Sequence, residues 1–388
     1  MAEKLCLYCQ EKKPSAAFSL EHIFPDRLGG SLCNDLFKTR DVCRDCNSKM
    51  GAFVDGAFIK NWFRTNDEAL AARQYLDLNA SDSILPLVYM GILQSLPLHQ
   101  GLVCEMWLGA CGERFYHIHQ KDDPRWDTFV GGNPMARKSD PGRVYFFNTS
   151  TNIQWIGLAL RSMKSHFKRA CRYASNLGIQ SGDDPASPLL HPVDEVAQQE
   201  LDLIRTLGND THMHTVKIQL GFEHRFLAKM ALGLGYNILG TRFLGTEYAR
   251  YLLAALWEKD PTARSMIPVR GTGFLNAQDT LLNQIIGWAG AYTIMLYALH
   301  DWFVLSFHLP SGKSMRIAIS DSPQLCQAAD IEEYHNGSVF LIIPQCGRFL
   351  GPIPLPEYLS HQLGNIRIPI LNELERLHID PMSLPPCR

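Results

Sequence analysis

Cys6 and Cys9 form a C-x2-C pair, and Cys43 and Cys46 form a second, with 33 residues between them. Each pair can fold as a knuckle that aims two thiolates at one point, and two knuckles complete the tetrahedral four-sulfur shell that structural zinc prefers. Such a site contributes folding free energy directly, which suits a short segment with a thin core. Between the knuckles, FSLEHIFPDRLGG sets Glu21 beside His22 in a run dominated by Phe18, Leu20, Ile23, Phe24 and Leu28. A charge in such company is expensive to desolvate unless something pairs with it or coordinates it. Cys33, which has no partner at ligand spacing, reads as a buried thiol. Cys104, Cys111, Cys171, Cys326, Cys346 and Cys387 are scattered and read as small core residues. A total of eleven cysteines, an odd number, fits thiols plus a metal site better than a disulfide framework.

The order C-x2-C, then S-x-E-H-I-x-P-x-x-L-G-G, then V-C-x-x-C-N-x-x-x-G resembles the HNH nucleases, the zinc-braced branch of the ββα-metal endonucleases, over about residues 4 to 60. The resemblance implies that His22 is the general base, that Glu21 ligates a catalytic divalent metal, and that Asn47, directly after the last cysteine, supplies a second ligand. The family often carries a middle Asn or His that orients the base. Here that region reads CNDLFKTRDVC, and Asn34, upstream of the expected position, is the candidate; a backbone carbonyl is the alternative. The chemistry agrees on independent grounds. Hydrolysing a phosphodiester needs a water deprotonated near neutral pH, which suits an imidazole. It also needs a cation at the scissile phosphate, and the oxygen ligands of Glu and Asn suit Mg²⁺ or Mn²⁺. The competing reading is a non-catalytic zinc-knuckle module that binds nucleic acid and uses its Glu-His pair structurally.

These roles make demands on the backbone. Neighbouring residues of a strand point to opposite faces, so Glu21 and His22 converge on one phosphate only if the strand ends or distorts there. Pro25, Gly29 and Gly30 begin the loop that would allow it, with the apolar neighbours forming a small core under the hairpin. The spacing of Met50, Phe53, Val54, Ala57, Phe58 and Trp62 predicts a helix from about Asn47 to Phe63. On that helix Asp55 reads as a solvated acid.

With 388 residues, 46% hydrophobic and 20% charged, the composition is that of a soluble globular chain of two or three domains. A net charge of -2 excludes a globally basic nucleic-acid binder, so contact with DNA must rely on local patches. Residues 1–64 carry ten Lys and Arg against eight Asp and Glu, a weak anchor by themselves. The N-terminus lacks the apolar segment of a secretory signal, and the longest uncharged apolar run, Ile285 to Leu299, falls short of the roughly 20 residues that span a bilayer. A cytoplasmic protein that does not enter the membrane is the expectation.

Beyond about residue 65 the character changes. GLVCEMWLGACGERFYHIHQ reads as a hairpin turning near Gly109 to Gly112. His117 and His119 share a strand face there, but no third ligand is in sight in the sequence, so they read as half-exposed strand histidines, as do His212 and His214. VYFFN reads as a strand, and NIQWIGLALRSMKSHFKRACRYA as an amphipathic helix. Ile156, Leu160, Met163 and Phe167 line its apolar face, and Arg161, Lys164, Lys168 and Arg172 line a basic one, the clearest positive patch and a candidate for phosphate contact. Residues 175–195 are rich in Ser, Asp, Gly and Pro and read as a linker. EHRFLAKMALGLGYNILG reads as a buried helix whose glycines allow close packing, WFVLSFHLPSGKSMRIAIS as a hairpin, and SVFLIIP as a strand.

The expected fold class is α+β: an N-terminal ββα-metal (HNH) zinc-knuckle module over residues 1–64, followed by a larger mixed α/β region over 65–388 with a sub-boundary near 175–200. That region has three candidate roles: DNA docking, homo-oligomerisation, or sensing a small-molecule or nucleotide activator. The last would make the chain a ligand-gated antiviral defence effector by analogy with fused HNH domains.

Overall fold

A computed structural model describes residues 3–77, 83–109, 111–121, 142–148, 152–174, 190–207, 211–216, 221–271, 285–299, 301–326 and 329–379. The chain divides into two units: Met1–Ile59 together with Leu220–Leu377, and Lys60–Gln219 together with His378–Arg388.

The first unit opens with β1 (Glu3–Leu5) antiparallel to β2 (Lys12–Pro14), so that the two flank the first knuckle. β3 (Phe18–His22) then pairs with β4 (Lys38–Cys43). Their register slips between Ser19 and Glu21, and β3 ends at His22, so the strand is both distorted and broken off at the Glu-His pair. The loop is held by two glycines with different tasks. Gly29 adopts φ +101°, and a Cβ on Gly30 would stand 2.0 Å from the Phe24 carbonyl oxygen. The helix begins at Arg44 rather than Asn47, because Cys43 leaves β4 in extended geometry and acts as its N-cap. It continues from Met50 through a widened π-type turn, Gly51–Asp55, and on to Ile59. Asn61 caps a new helix, Trp62–Ala71, by accepting from Phe63 N–H, which ends the predicted run to Phe63.

The second unit is built on a six-stranded sheet of β5 (Val88–Leu93), β6 (Leu102–Leu108), β7 (Arg114–Gln120), β8 (Arg143–Phe147), β9 (Cys171–Ala174) and β10 (His214–Thr215). Their order is β10-β5-β6-β7-β8-β9, antiparallel except for β8 with β9. The helix Ile153–His166 covers one face through Ala159, Leu160 and Met163, packed with Trp107, Phe115 and Phe146. The helix Glu195–Thr206 covers the other through Ala197, Leu201 and Ile204, packed with Cys104, Ile118 and Tyr145. Residues 175–189, most of the expected linker, lie outside the described residues.

The chain then returns to the first unit with the helix Phe222–Leu239, the helix Glu247–Trp257, and a wholly antiparallel sheet. The sheet comprises β11 (Tyr292–Leu299), β12 (Trp302–His308), β13 (Ser314–Ser320), β14 (Ser338–Ile343) and β15 (Arg348–Pro354), in the order β13-β12-β11-β14-β15. Here the expected boundary at residue 64 gives way. The apolar residues of FSLEHIFPDRLGG do not form a small core of their own. Phe24 packs edge-on against Tyr292 and Phe307 at 5.7 and 5.9 Å, and Phe58 stacks on Phe226 at 3.8 Å. A module of this size buries too little surface alone, and residues 220–377 supply the rest of its core.

Candidate active site and zinc cluster

The sulfur atoms of Cys6, Cys9, Cys43 and Cys46 lie within 4.8 Å of one another. Cys6 and Cys9 come from the turn between β1 and β2, Cys43 from the end of β4, and Cys46 from the first turn of the following helix. The Cys43 N–H donates to Cys6 Sγ at 3.3 Å, an amide-to-sulfur bond that stabilises negative charge on the sulfur. A hydrogen bond from Cys46 lowers the Cys6 thiol to about 4, while Cys46 is driven far upward by the same bond. Four sulfurs gathered this closely form a donor set suited to a soft divalent cation, and zinc fits it. Cys33 is buried as expected, whereas Cys171 is exposed rather than in a core.

Glu21 and His22 part company at the end of β3. Glu21 is 2% exposed and its Oε1 accepts from Lys229 Nζ at 2.8 Å, with the Tyr8 hydroxyl at 3.4 Å. Lys229, on the helix Phe222–Leu239, is wholly buried. Its remaining protons go to Asp55 Oδ2 at 2.7 Å and the His22 carbonyl at 2.9 Å. All three donors of the ammonium are thereby used. Asp55, expected on a solvated helix face, is turned inward by the π-type turn, a local widening that shifts side chains relative to an α-helix.

Burial pushes the carboxyls of Glu21 and Asp55 above the ordinary range despite the ion pair. Burial also opposes the charge on Lys229, but Asp55 and Glu21 together outweigh it and hold the ammonium above its usual value. His22 is half-buried, and desolvation lowers its imidazole below the ordinary 6.5, so that it is neutral at neutral pH.

The Asn47 amide nitrogen donates to the Leu20 carbonyl at 2.7 Å and reaches Ser19 Oγ at 3.0 Å, tying the helix to the bulged strand. A carbonyl only accepts, which orients the amide and leaves Oδ1 as the oxygen available to a ligand. On Glu21 both bonds end on Oε1, leaving Oε2. Asn34 is exposed at the start of the short turn Asp35–Phe37 and makes no capping hydrogen bond. The basic helix face is corrected: the helix stops at His166, Lys168 lies in the turn beyond it, and Arg172 belongs to β9, where its guanidinium donates to the Phe167 carbonyl at 3.0 Å. Pairing of β9 with β8 overrides the helical periodicity of the sequence.

Sequence reasoning missed Lys229, although a lone lysine in the apolar stretch FLAKMALGLG was a signal. It also assigned Gly233 only generic close packing. A Cβ there would stand 2.6 Å from Ile23, so the glycine lets the strand end lie against the helix one turn beyond Lys229.

A bulged hairpin and a helix joined through a four-cysteine cluster, with a Glu-His pair at the strand end, define a zinc-knuckle ββα module. Residues 6–63 match the family model described as HNH endonuclease. Comparison of the chain with curated proteins and with solved structures finds no match.

Proposed function

We propose that the chain is a metal-dependent endonuclease that hydrolyses DNA phosphodiester bonds with His22 as general base. The observation that carries this reading is a half-buried imidazole at the end of a bulged strand, inside the segment that matches the HNH family. His22 takes a proton from the attacking water. Lys229 grips the His22 carbonyl and Glu21 Oε1 at once, and so steadies the strand end that presents the imidazole. Glu21 Oε2 and Asn47 Oδ1 are the oxygens that would hold Mg²⁺ or Mn²⁺. Such a cation supplies charge neutralisation at the scissile phosphate and the leaving oxygen. Zinc on the four cysteines keeps the hairpin and helix in register.

Incubating the full chain with plasmid and Mg²⁺ or Mn²⁺, with and without nucleotide activators, tests both the chemistry and a gate on it. His22→Ala is expected to lose about 10²–10⁴-fold in cleavage rate; equal rates for the variant and the wild type would remove His22 from the mechanism. The Glu21–Lys229 pair favours a second reading, a zinc-knuckle module that binds DNA without cutting it. That reading predicts DNA retention with no cleavage under any metal and no change in retention in His22→Ala.

A further inference from the structure

His117 and His119 acquire their third partner only in the folded sheet. β6 and β7 are registered so that Glu105 stands directly opposite His117, and His119, two residues on, shares its face. Glu105 Oε2 is 3.6 Å from His117 Nδ1 and 3.5 Å from His119 Nε2, and the two rings lie 4.6 Å apart at 31°. One donor atom from each residue lies within 4.8 Å of the others, and the three residues are 0, 4 and 2% exposed.

Two features point to a cation among these atoms. His119 Nδ1 lies 2.6 Å from the Gln120 carbonyl, which can only accept, so Nδ1 carries the proton. Nε2 is then the nitrogen turned to the Glu105 carboxylate, 3.5 Å away. A backbone carbonyl on the far nitrogen is the arrangement that fixes a metal-binding histidine in its tautomer. The spacing agrees. At 3.5–3.6 Å the contacts are too long for hydrogen bonds, whereas two donors each about 2.0–2.1 Å from one tetrahedral ion stand about 3.3 Å apart. The surroundings hold the rings in place. Phe167 packs 5.0 Å from His117, and residue 142 is a glycine whose Cβ would fall 2.3 Å from His117 Nε2, so the backbone closes over the ring.

We infer that Glu105, His117 and His119 form a second metal site, separate from the four cysteines and from the Glu21–His22 pair, that binds a zinc-class divalent ion through two imidazoles and one carboxylate. Mixed nitrogen and oxygen donors favour first-row transition ions over Mg²⁺ or Ca²⁺, and three protein ligands leave a fourth position for water or a small anion. The site does not depend on the nuclease reading.

The test uses the full chain, stripped with a chelator and reloaded with Co²⁺ in excess Mg²⁺ to occupy hard-oxygen sites. The wild type is expected to take up two Co²⁺ per chain, one with a thiolate charge-transfer band and one showing only the d–d bands of nitrogen and oxygen ligation. Glu105→Gln and His119→Gln should each lose the second ion and keep the thiolate band, while Glu21→Gln should keep both ions. Circular dichroism selects the variants that fold, and either Glu105→Gln or His119→Gln is sufficient. If neither folds, the decision passes to ligand counting by X-ray absorption on zinc-loaded Glu21→Gln carrying His22→Ala, where two imidazoles per chain are expected. The inference is overturned by a wild type that binds one Co²⁺ with only the thiolate band, by a second ion that survives in the folded variants, or by an absence of imidazole ligation in the double variant. Plasmid cleavage measured alongside reports on the nuclease reading separately.

Discussion

Two clusters hold the β3–β4 hairpin by different means, the cysteines at the end where Cys43 pairs with Phe18 and the lysine at the end where His22 pairs with Lys38. The four cysteines come from one short stretch of chain, and their spacing alone announces a metal. The Glu21–Lys229–Asp55 cluster instead takes its cation from a residue 207 positions beyond His22, and forms only when the helix Phe222–Leu239 is in place. One is a local set of donors suited to a cation from solution; the other builds its cation into the core. The first can organise a knuckle before the rest of the unit folds, whereas the second reports that the unit has folded.

The largest effect expected is from removing zinc. Structural zinc contributes on the order of 10 kcal/mol in small knuckles, so chelation should abolish hydrogen-exchange protection in β3 and β4. Protection that survives chelation would mean that packing of Phe24 and Phe58 against the aromatic core, rather than the metal, holds the hairpin. Next comes Lys229→Met, which strands two carboxylates in the interior and should cost about 3–5 kcal/mol in urea unfolding with zinc saturating. A loss below about 1 kcal/mol would show that the cluster is a bystander.

The two clusters should also answer pH with opposite signs. Protons compete with zinc for thiolates, so acid weakens the cysteine staple. Glu21 has a folded pKa above its ordinary 4.5, so the stability this gives is present below 4.5 and is lost as the pH rises through the folded value. In saturating zinc, the stability of wild type relative to Glu21→Gln should therefore decline from pH 4.5 upward, by at most about 1.4 kcal/mol per pH unit. A pH-independent gap would contradict the burial assigned to Glu21. The smallest effect is at Gly233, where alanine must displace Ile23 and should cost about 1–3 kcal/mol, relieved in part by Ile23→Val; an additive double variant would show that the two side chains do not meet.

The ease of reading each feature from the sequence follows the chain distance over which its chemistry is assembled. The knuckles, the Glu-His pair and the strand break were legible because turn geometry and ligand spacing act over a few residues. The helix Phe222–Leu239 and the hairpin of β12 and β13 were legible from periodicity. Asp55 was misread because a π-type turn breaks the 3.6-residue period on which its placement relied; the same turn leaves Phe53 52% exposed while Met50, Val54 and Phe58 are buried. The basic face failed for a related reason, since pairing of β9 with β8 ends a helix that local propensity would have carried on.

By itself, then, the sequence determined that a donor set for a soft metal and an imidazole belong to the first 46 residues, because donor spacing is a local property. The tertiary structure alone decided which cation meets Glu21, which way Asp55 turns, and that Glu105 completes the pair of histidines on β7. Each of these depends on register or on a helix from elsewhere in the chain, and in a folded protein such long-range pairing is set by the burial of whole faces, not by the residues that the pairing happens to bring together.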